Sequence, residues 1–191
     1  MRGEDHSAPV SVVIPCFKAD LFLERAVNSV LLQSLRPSEL ILVDDASPDG
    51  GKTKNLIASL VDKIALENYD MSVIPVYLSK NSGAGGARNV GWLKATQSWI
   101  AFLDADDAWD VKKIEVQQQF LKDHPNIDLL AHRTAFLGFG GELVIPEDGG
   151  LIPDSEKITL RKMLYSNLIP TRSVMLRRDI PLRFPENTLS E

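Results

Sequence analysis

Trp99-Ile-Ala-Phe-Leu-Asp-Ala-Asp-Asp107 is five apolar residues running straight into acids. A short apolar run without alternation reads as a strand buried on both faces. The same layout recurs upstream. Glu39–Val43 (ELILV) is followed by Asp44-Asp45, and Val10–Pro15 (VSVVIP) by Cys16-Phe17-Lys18. Met71–Leu78 (MSVIPVYL) is another strand, weakened by Pro75, which removes a ladder donor. Between these runs lie segments of helical spacing. They are Leu21–Leu32 with Asp20 as its N-cap, Thr53–Leu66, a helix from the Gly-rich turn Asn81–Gly86 through Ala95, and Val111–Lys122. Ile127–Phe136 reads as a fifth strand. Strands alternating with helices at this spacing predict an α/β fold: a Rossmann-like, mostly parallel sheet with helices on both faces. After Leu137 the pattern weakens. Glu142–Ile145 reads as a hairpin arm, Ser155–Leu164 as a helix and Ser173–Leu176 as a strand.

The chain has 191 residues, enough for one domain or a domain with a short appendage. Lys plus Arg is 21 and Asp plus Glu is 26, so the net charge of −5 argues against a general nucleic-acid binder. A single cysteine, Cys16, excludes an internal disulfide and fits a reducing compartment. No run of 18 apolar residues exists, so nothing in this stretch spans a bilayer. The expectation is a cytoplasmic protein, at most peripheral to a membrane and then through parts outside this chain. Residues 1–9 read as a disordered leader and 10–137 as a nucleotide-binding half. Residues 138–191 read as an acceptor-side portion truncated at its C-terminus, with the boundary near Gly138–Gly141.

In parallel sheets ligands bind at the carboxyl ends of the strands. Four such ends here carry chemistry: Pro15–Lys18, Asp44–Ser47, Asn81–Asn89 and Asp104–Asp107. Asp104 and Asp106 together can hold a hard divalent cation that bridges a diphosphate. Their structural alternative is a helix cap or a solvated acidic turn. Asp44 or Asp45 can accept from a ribose hydroxyl or a base N–H; the alternative is a turn in which Ser47 shares the bonding. Gly83, in the glycine-rich loop, allows backbone to approach a ligand. Arg88 can meet a phosphate. Phe17 can stack on a flat ring, and Lys18 can reach a phosphate. Trp92 and Val90 read as core, and Cys16 as a small buried filler. A competing reading is a phosphate-binding loop of an ATPase over Ala46-Ser-Pro-Asp-Gly-Gly-Lys-Thr53. Against it, Asp44, Asp45 and Asp49 crowd a loop that would have to attract phosphate.

Four segments carry a family resemblance. Val12-Val-Ile-Pro-Cys-Phe17, Leu42-Val-Asp-Asp-Ala-Ser47, Asn81-Ser-Gly-Ala-Gly-Gly-Ala-Arg-Asn89 and Phe102-Leu-Asp-Ala-Asp-Asp-Ala-Trp109 together resemble the family 2 glycosyltransferases of GT-A fold. The match covers about Ser11 to Asp128. Weaker similarity continues through Ile169-Pro-Thr171 and Ser173–Arg177 to Phe184-Pro-Glu-Asn187.

The resemblance implies inverting transfer of a sugar from a nucleoside-diphosphate donor, commonly UDP-linked, to a glycan, lipid or other hydroxyl acceptor, with Mg²⁺ or Mn²⁺. On that likeness Pro15 and Phe17 line the base site, Asp44 or Asp45 holds uracil or ribose, and Arg88 lies near the nucleotide. Asp104 faces the ribose or sugar and joins Asp106 at the metal. The catalytic base is expected beside Glu191, as an Asp immediately after it. Arg172 replaces the small polar residue often found in the family, which puts the acceptor-side loop in question. The rival readings are a module that binds nucleotide-sugar without turnover, and the ATPase.

Overall fold

The computed structural model describes residues 7–67, 69–132, 136–137, 143–144 and 169–185. Its elements in chain order are β1 (Ser7–Cys16), α1 (Leu23–Leu31), β2 (Arg36–Asp44), α2 (Lys52–Leu66) and β3 (Ser72–Tyr77). Then come α3 (Gly83–Lys94), β4 (Trp99–Phe102), α4 (Lys113–Asp123) and β5 (Leu129–Leu130). The short strands β6 (Phe136–Leu137) and β7 (Leu143–Val144) precede a 3₁₀ turn, Thr171–Ser173, and β8 (Met175–Arg177).

Among the described residues six strands form one sheet in the order β3-β2-β1-β4-β8-β5. The pairs β1–β2, β1–β4 and β2–β3 are parallel. β8 runs antiparallel to both β4 and β5. The expected mostly parallel sheet is therefore present, with one antiparallel strand, β8, inserted between β4 and the edge strand β5. β3 is an edge strand, which accommodates Pro75. β6 and β7 pair as an antiparallel hairpin, consistent with the arm expected at Glu142–Ile145.

Both sheet faces are covered, and this explains the unbroken apolar runs. Val12, Ile14, Leu40, Leu42, Ala101 and Leu103 join the core shared with residues of α1, α2 and α4. The intervening Val13, Ile41, Val43, Ile100 and Phe102 join the second core, with Ala87 and Trp92 of α3 and with Val174 and Leu176. At the other end of the sheet the buried Glu39 carboxylate ties three segments. It accepts from the Ser11 hydroxyl at 2.5 Å, and from the Thr96 amide and hydroxyl at 3.0 and 2.9 Å.

Several expectations need correction. β1 begins at Ser7, so residues 7–9 belong to the sheet rather than to a leader. Asp20 does not cap α1; the turn into that helix is closed by Ala19, whose carbonyl accepts from the Phe22 and Leu23 amides. Residues 127–136 are not one strand, because pairing stops after Leu130 and resumes in a separate hairpin. The glycines of the Asn81–Gly86 turn belong largely to α3, which starts at Gly83. The helix expected at Ser155–Leu164 and the boundary at Gly138–Gly141 lie outside the described residues.

Two contacts permit direct tests. A Cβ at Gly91 would stand 2.3 Å from Val13 Cγ1, so only glycine lets α3 lie this close to β1. Gly91→Ala is expected to cost about 1–3 kcal/mol through overpacking, more than the ~0.5–1 kcal/mol it gains in helix propensity. In urea unfolding, Gly91→Ala combined with Val13→Ala should be less destabilised than the sum of the single changes.

Asp49 serves the N-terminus of α2: Oδ2 accepts from the Thr53 amide and hydroxyl, and Oδ1 from the Gly51 amide. The Thr53 hydroxyl is the main cause that holds the Asp49 carboxyl below its ordinary value of 3.8. A carboxylate depressed on folding stabilises above the unfolded value and loses that effect as pH falls through the folded one. The Tm gap between wild type and Asp49→Ala should therefore be full at neutral pH and narrow below about 3.8.

Candidate functional site

Three strand ends finish level. Cys16 pairs with Asp44 across β1–β2, and Asp44 with Tyr77 across β2–β3. On the other side Val13 pairs with Phe102, and the Leu103 amide bonds to the Val13 carbonyl. The connections run outward from β1 through β2 to β3, then return to put β4 on the opposite flank. That reversal is a topological switch point, where open α/β sheets leave a crevice. Phe17-Lys18 follows one wall of it and Asp104–Asp107 the other.

Phe17 is half-exposed, so its ring is not consumed by core packing. The chain turns there through a left-handed residue, Lys18, at φ 50°. The Lys18 amide donates to Ser47 Oγ at 3.0 Å, which joins the first loop to the second. Pro15 is half-buried and Cys16 is the expected buried filler, its thiol pKa pushed up by burial.

Asp44 and Asp45 are both buried, with divided roles. Asp44 Oδ1 accepts from the Ser47 hydroxyl at 2.6 Å and the Ser47 amide at 3.2 Å, the turn weighed as the structural alternative. Asp45 Oδ1 accepts from the Ser82 amide at 2.7 Å and hydroxyl at 2.9 Å. Each carboxylate thus fixes a loop through one oxygen. Oδ2 of each has no hydrogen-bond partner among the described residues. Asn81 adds a second tie, from Nδ2 to the Asp45 carbonyl, while its Oδ1 accepts from Gly83, a left-handed glycine at φ 73°.

The acids after β4 sort by partner. Arg88 Nη2 donates to Asp104 Oδ1. Arg172 Nη1 lies 3.3 Å from Asp107 Oδ2. The exposed Asp106 side chain has no partner among the described residues. Burial raises the Asp107 pKa, Arg172 opposes that, and Asp104 and Asp106 add to it. Trp109 closes the segment: its indole N–H donates to the Arg172 carbonyl at 2.9 Å, and Lys113 Nζ sits 3.7 Å from its ring centre. The ring is buried, and burial pushes the Lys113 pKa down.

Arg88 lies in the second turn of α3, with its Nε buried and without a hydrogen-bond partner among the described residues. Its guanidinium also stands over Phe184, 5.3 Å from the ring centre. Here the structure reveals a feature the sequence did not. One stripe of α3 holds the segment after β8. Trp92 Nε1 donates to the Arg178 carbonyl at 2.7 Å. Asn89 Nδ2 donates to the Phe184 carbonyl at 2.9 Å, and Asn89 Oδ1 accepts from the Phe184 amide at 3.0 Å. A Cβ on Gly85 would lie 2.5 Å from the Pro185 carbonyl. That glycine therefore makes room for the protein's own backbone rather than for a ligand. Phe184 packs edge-on to Phe102 at 5.0 Å and to Trp92 at 6.5 Å.

Tyr77, half-exposed at the end of β3, was also missed; an aromatic at the C-terminal end of an expected strand was its only signal. Lys54 Nζ stands 5.3 Å from its ring centre. Glu191 lies outside the described residues.

The phosphate-loop reading fails on geometry. The donors at the start of α2 that would cradle a phosphate are filled by the Asp49 carboxylate, and Thr53 Oγ1 also accepts from the Ala19 amide. As for a cation, no three His, Cys, Asp or Glu side chains cluster to hold one among the described residues. The donor set instead fits an ion shared with a substrate phosphate, which needs only one or two carboxylates. Asp106 is free for that role, whereas Asp104 has one oxygen committed to Arg88. No described helix is long and apolar enough to cross a membrane.

Comparison with known proteins agrees with this geometry. The chain is 33% identical over 174 residues to TuaG of Bacillus subtilis, a glycosyltransferase named for teichuronic acid biosynthesis, covering 89% of this chain and 62% of TuaG. It is 29% identical over 180 residues to WfgD of Escherichia coli, named as a UDP-Glc:alpha-D-GlcNAc-diphosphoundecaprenol beta-1,3-glucosyltransferase. That alignment covers 92% of this chain and 64% of WfgD. The chain thus spans less than two thirds of either relative. The crystal structure of S. aureus TarS 1–349 with UDP-GlcNAc superposes at a TM-score of 0.66 with 25% identity, over 93% of this chain and 48% of that one. Structural neighbours of this kind identify the fold as GT-A type. The model described as Glycosyl transferase family 2 matches residues 11–181, and the chain belongs to that family.

Proposed function

We propose that the chain is the donor-binding part of a metal-dependent, inverting glycosyltransferase. It takes a sugar from a nucleoside diphosphate, UDP in the first instance, and passes it to a hydroxyl of a glycan or lipid-linked acceptor. One arrangement supports this reading: the loops of Phe17, Asp44, Asp45, Asp104 and Asp106 leave the sheet at one edge, Arg88 and Arg172 pair with Asp104 and Asp107, and Asp106 has no partner among the described residues. TarS, bound to UDP-GlcNAc, and WfgD, named for a UDP-glucose donor and a lipid-diphosphate acceptor, support the donor and acceptor classes.

In this reading Phe17 stacks on the base, as exposed aromatics do with flat rings. The free Oδ2 atoms of Asp44 and Asp45 accept from the base or ribose, because an ionised carboxylate can only accept. Gly83 and Arg88 border the same crevice. Asp106, with Asp104 beside it, would hold the divalent ion, Mg²⁺ or Mn²⁺. That ion supplies Lewis-acid neutralisation of the charge gathering on the leaving diphosphate. The acceptor oxygen attacks the anomeric carbon from the face opposite the leaving group. One bond forms as the glycosyl–phosphate bond breaks, and configuration inverts. A carboxylate on the acceptor side takes the hydroxyl proton, a contribution of about 10²–10⁴-fold. The resemblance puts that base next to Glu191.

Calorimetric titration with UDP separates these roles. Phe17→Ala should weaken UDP about 5- to 150-fold both with and without Mn²⁺, since one base–aromatic stack is worth about 1–3 kcal/mol. Asp106→Asn should remove only the Mn²⁺-dependent gain. Lys52→Ala, at the rejected phosphate loop, should leave UDP binding unchanged. Wild-type affinity for UDP that is indifferent to Mn²⁺ would overturn the metal assignment, and preference for ATP over UDP would overturn the donor assignment.

A further inference from the structure

The segment that carries Asp106 is irregular from Leu103 to Lys112, and no strand or helix of its own fixes it. It is held from outside: Arg88 and Arg172 hold the side chains of Asp104, Asp107 and Trp109, and α1 holds its main chain. Three polar side chains at four-residue spacing, Arg25, Ser29 and Gln33, run along α1 and just past its end. Positions four apart share a helix face, so they make one stripe. Each bonds to the main chain of the segment between β4 and α4.

Arg25 Nη2 donates to the Asp106 carbonyl. Ser29 Oγ accepts from the Trp109 amide at 3.1 Å. Gln33 makes two bonds, Nε2 to the Asp110 carbonyl at 2.7 Å and Oε1 from the Ile114 amide at 3.0 Å. The order along the stripe matches the order along the segment. The far end is reinforced by the Ser34 amide on the Val111 carbonyl at 2.8 Å, and by the Ser34 hydroxyl on Glu115 Oε2 at 2.6 Å.

The two ends of the stripe differ in surroundings. Gln33 is 3% exposed, so its bonds are buried and structural. Arg25 is exposed, and it lies on an open groove of about 570 Å³ between α1 and the segment, lined also by Leu21, Leu32, Trp109 and Val111. Packing is thin beside Arg25, and the exposed Asp106 is tied there by the arginine bond. A guanidinium on a carbonyl is a charge-assisted bond, stronger than a neutral one. It fixes the peptide plane next to the Asp106 Cα, and with it the direction in which the carboxylate leaves the chain.

We infer that Arg25 is a positioning residue for Asp106, setting the aim of the carboxylate at the donor-bridging cation without touching donor or cation itself. This rests on the reading of Asp106 as the metal ligand. Outer partners that orient a ligand typically account for about 10–100-fold in metal affinity. Because Arg25 is exposed and buries little, its loss should act on the metal response and leave stability alone.

The test uses the whole 191-residue chain with Arg25→Ala and Arg25→Lys. UDP is titrated calorimetrically in Mn²⁺ and in EDTA, and Tm is measured for each protein. Arg25→Ala is expected to weaken UDP about 10–100-fold in Mn²⁺, with unchanged affinity in EDTA and unchanged Tm. Arg25→Lys should recover most of the Mn²⁺ effect, since an ammonium also donates to a carbonyl. An intact Mn²⁺ response in Arg25→Ala overturns the inference while leaving the metal reading standing. So does an equal loss in both conditions, or a loss accompanied by a fall in Tm that Arg25→Lys does not correct. A wild-type protein whose UDP affinity ignores Mn²⁺ overturns the metal reading and the inference together.

Discussion

The parallel ladder on both sides of β1 is the constraint from which the site follows. Its register brings Cys16, Asp44 and Tyr77 level, and sets the end of β4 beside Val13. Side chains alternate along a strand, so a one-residue slip would exchange the two cores and turn Val13 towards α1. Gly91 is fitted to Val13 on one face only, which makes such a slip costly. The position of the loops is thus a by-product of core packing. The candidate site residues sit on segments that leave the sheet at a place chosen by apolar residues.

Within that frame the site is organised by dividing charge. Three acids follow β4 and two arginines answer two of them, Arg88 from α3 and Arg172 from the turn before β8. A cluster of three unpaired carboxylates would repel itself and would bind a cation with little discrimination. Pairing two leaves a single negative group exposed at the crevice. Asp44 and Asp45 show the same economy: one oxygen of each holds a neighbouring loop, and the other has no partner among the described residues.

Much of this was legible in the sequence because it is local. Apolar runs ending in acids marked β2 and β4, a short apolar run marked β1, and Pro75 marked a weaker strand that proved to be an edge. The grouping of the four loops followed from the parallel sheet alone. What escaped was long-range. The reciprocal bonds between Asn89 and Phe184 span 95 residues, and Arg25 reaches Asp106 across 81. No pattern along the chain announces such partners. Gly85 was unreadable for the same reason: a missing Cβ signals a close approach and does not say by what. The run from Ile127 misled because β8, itself only three residues long, pairs with it no further than Leu130.

The clasp between Asn89 and Phe184 has a chemical peculiarity. A carboxamide offers a hydrogen at one end and a lone pair at the other, and the Phe184 peptide needs both. Aspartate has the same shape and volume, yet when ionised it has no hydrogen to give. Hydrolysis of that one amide would set two oxygens against each other while leaving the packing untouched. The strap over α3 therefore depends on a chemical identity that no measure of steric fit would register.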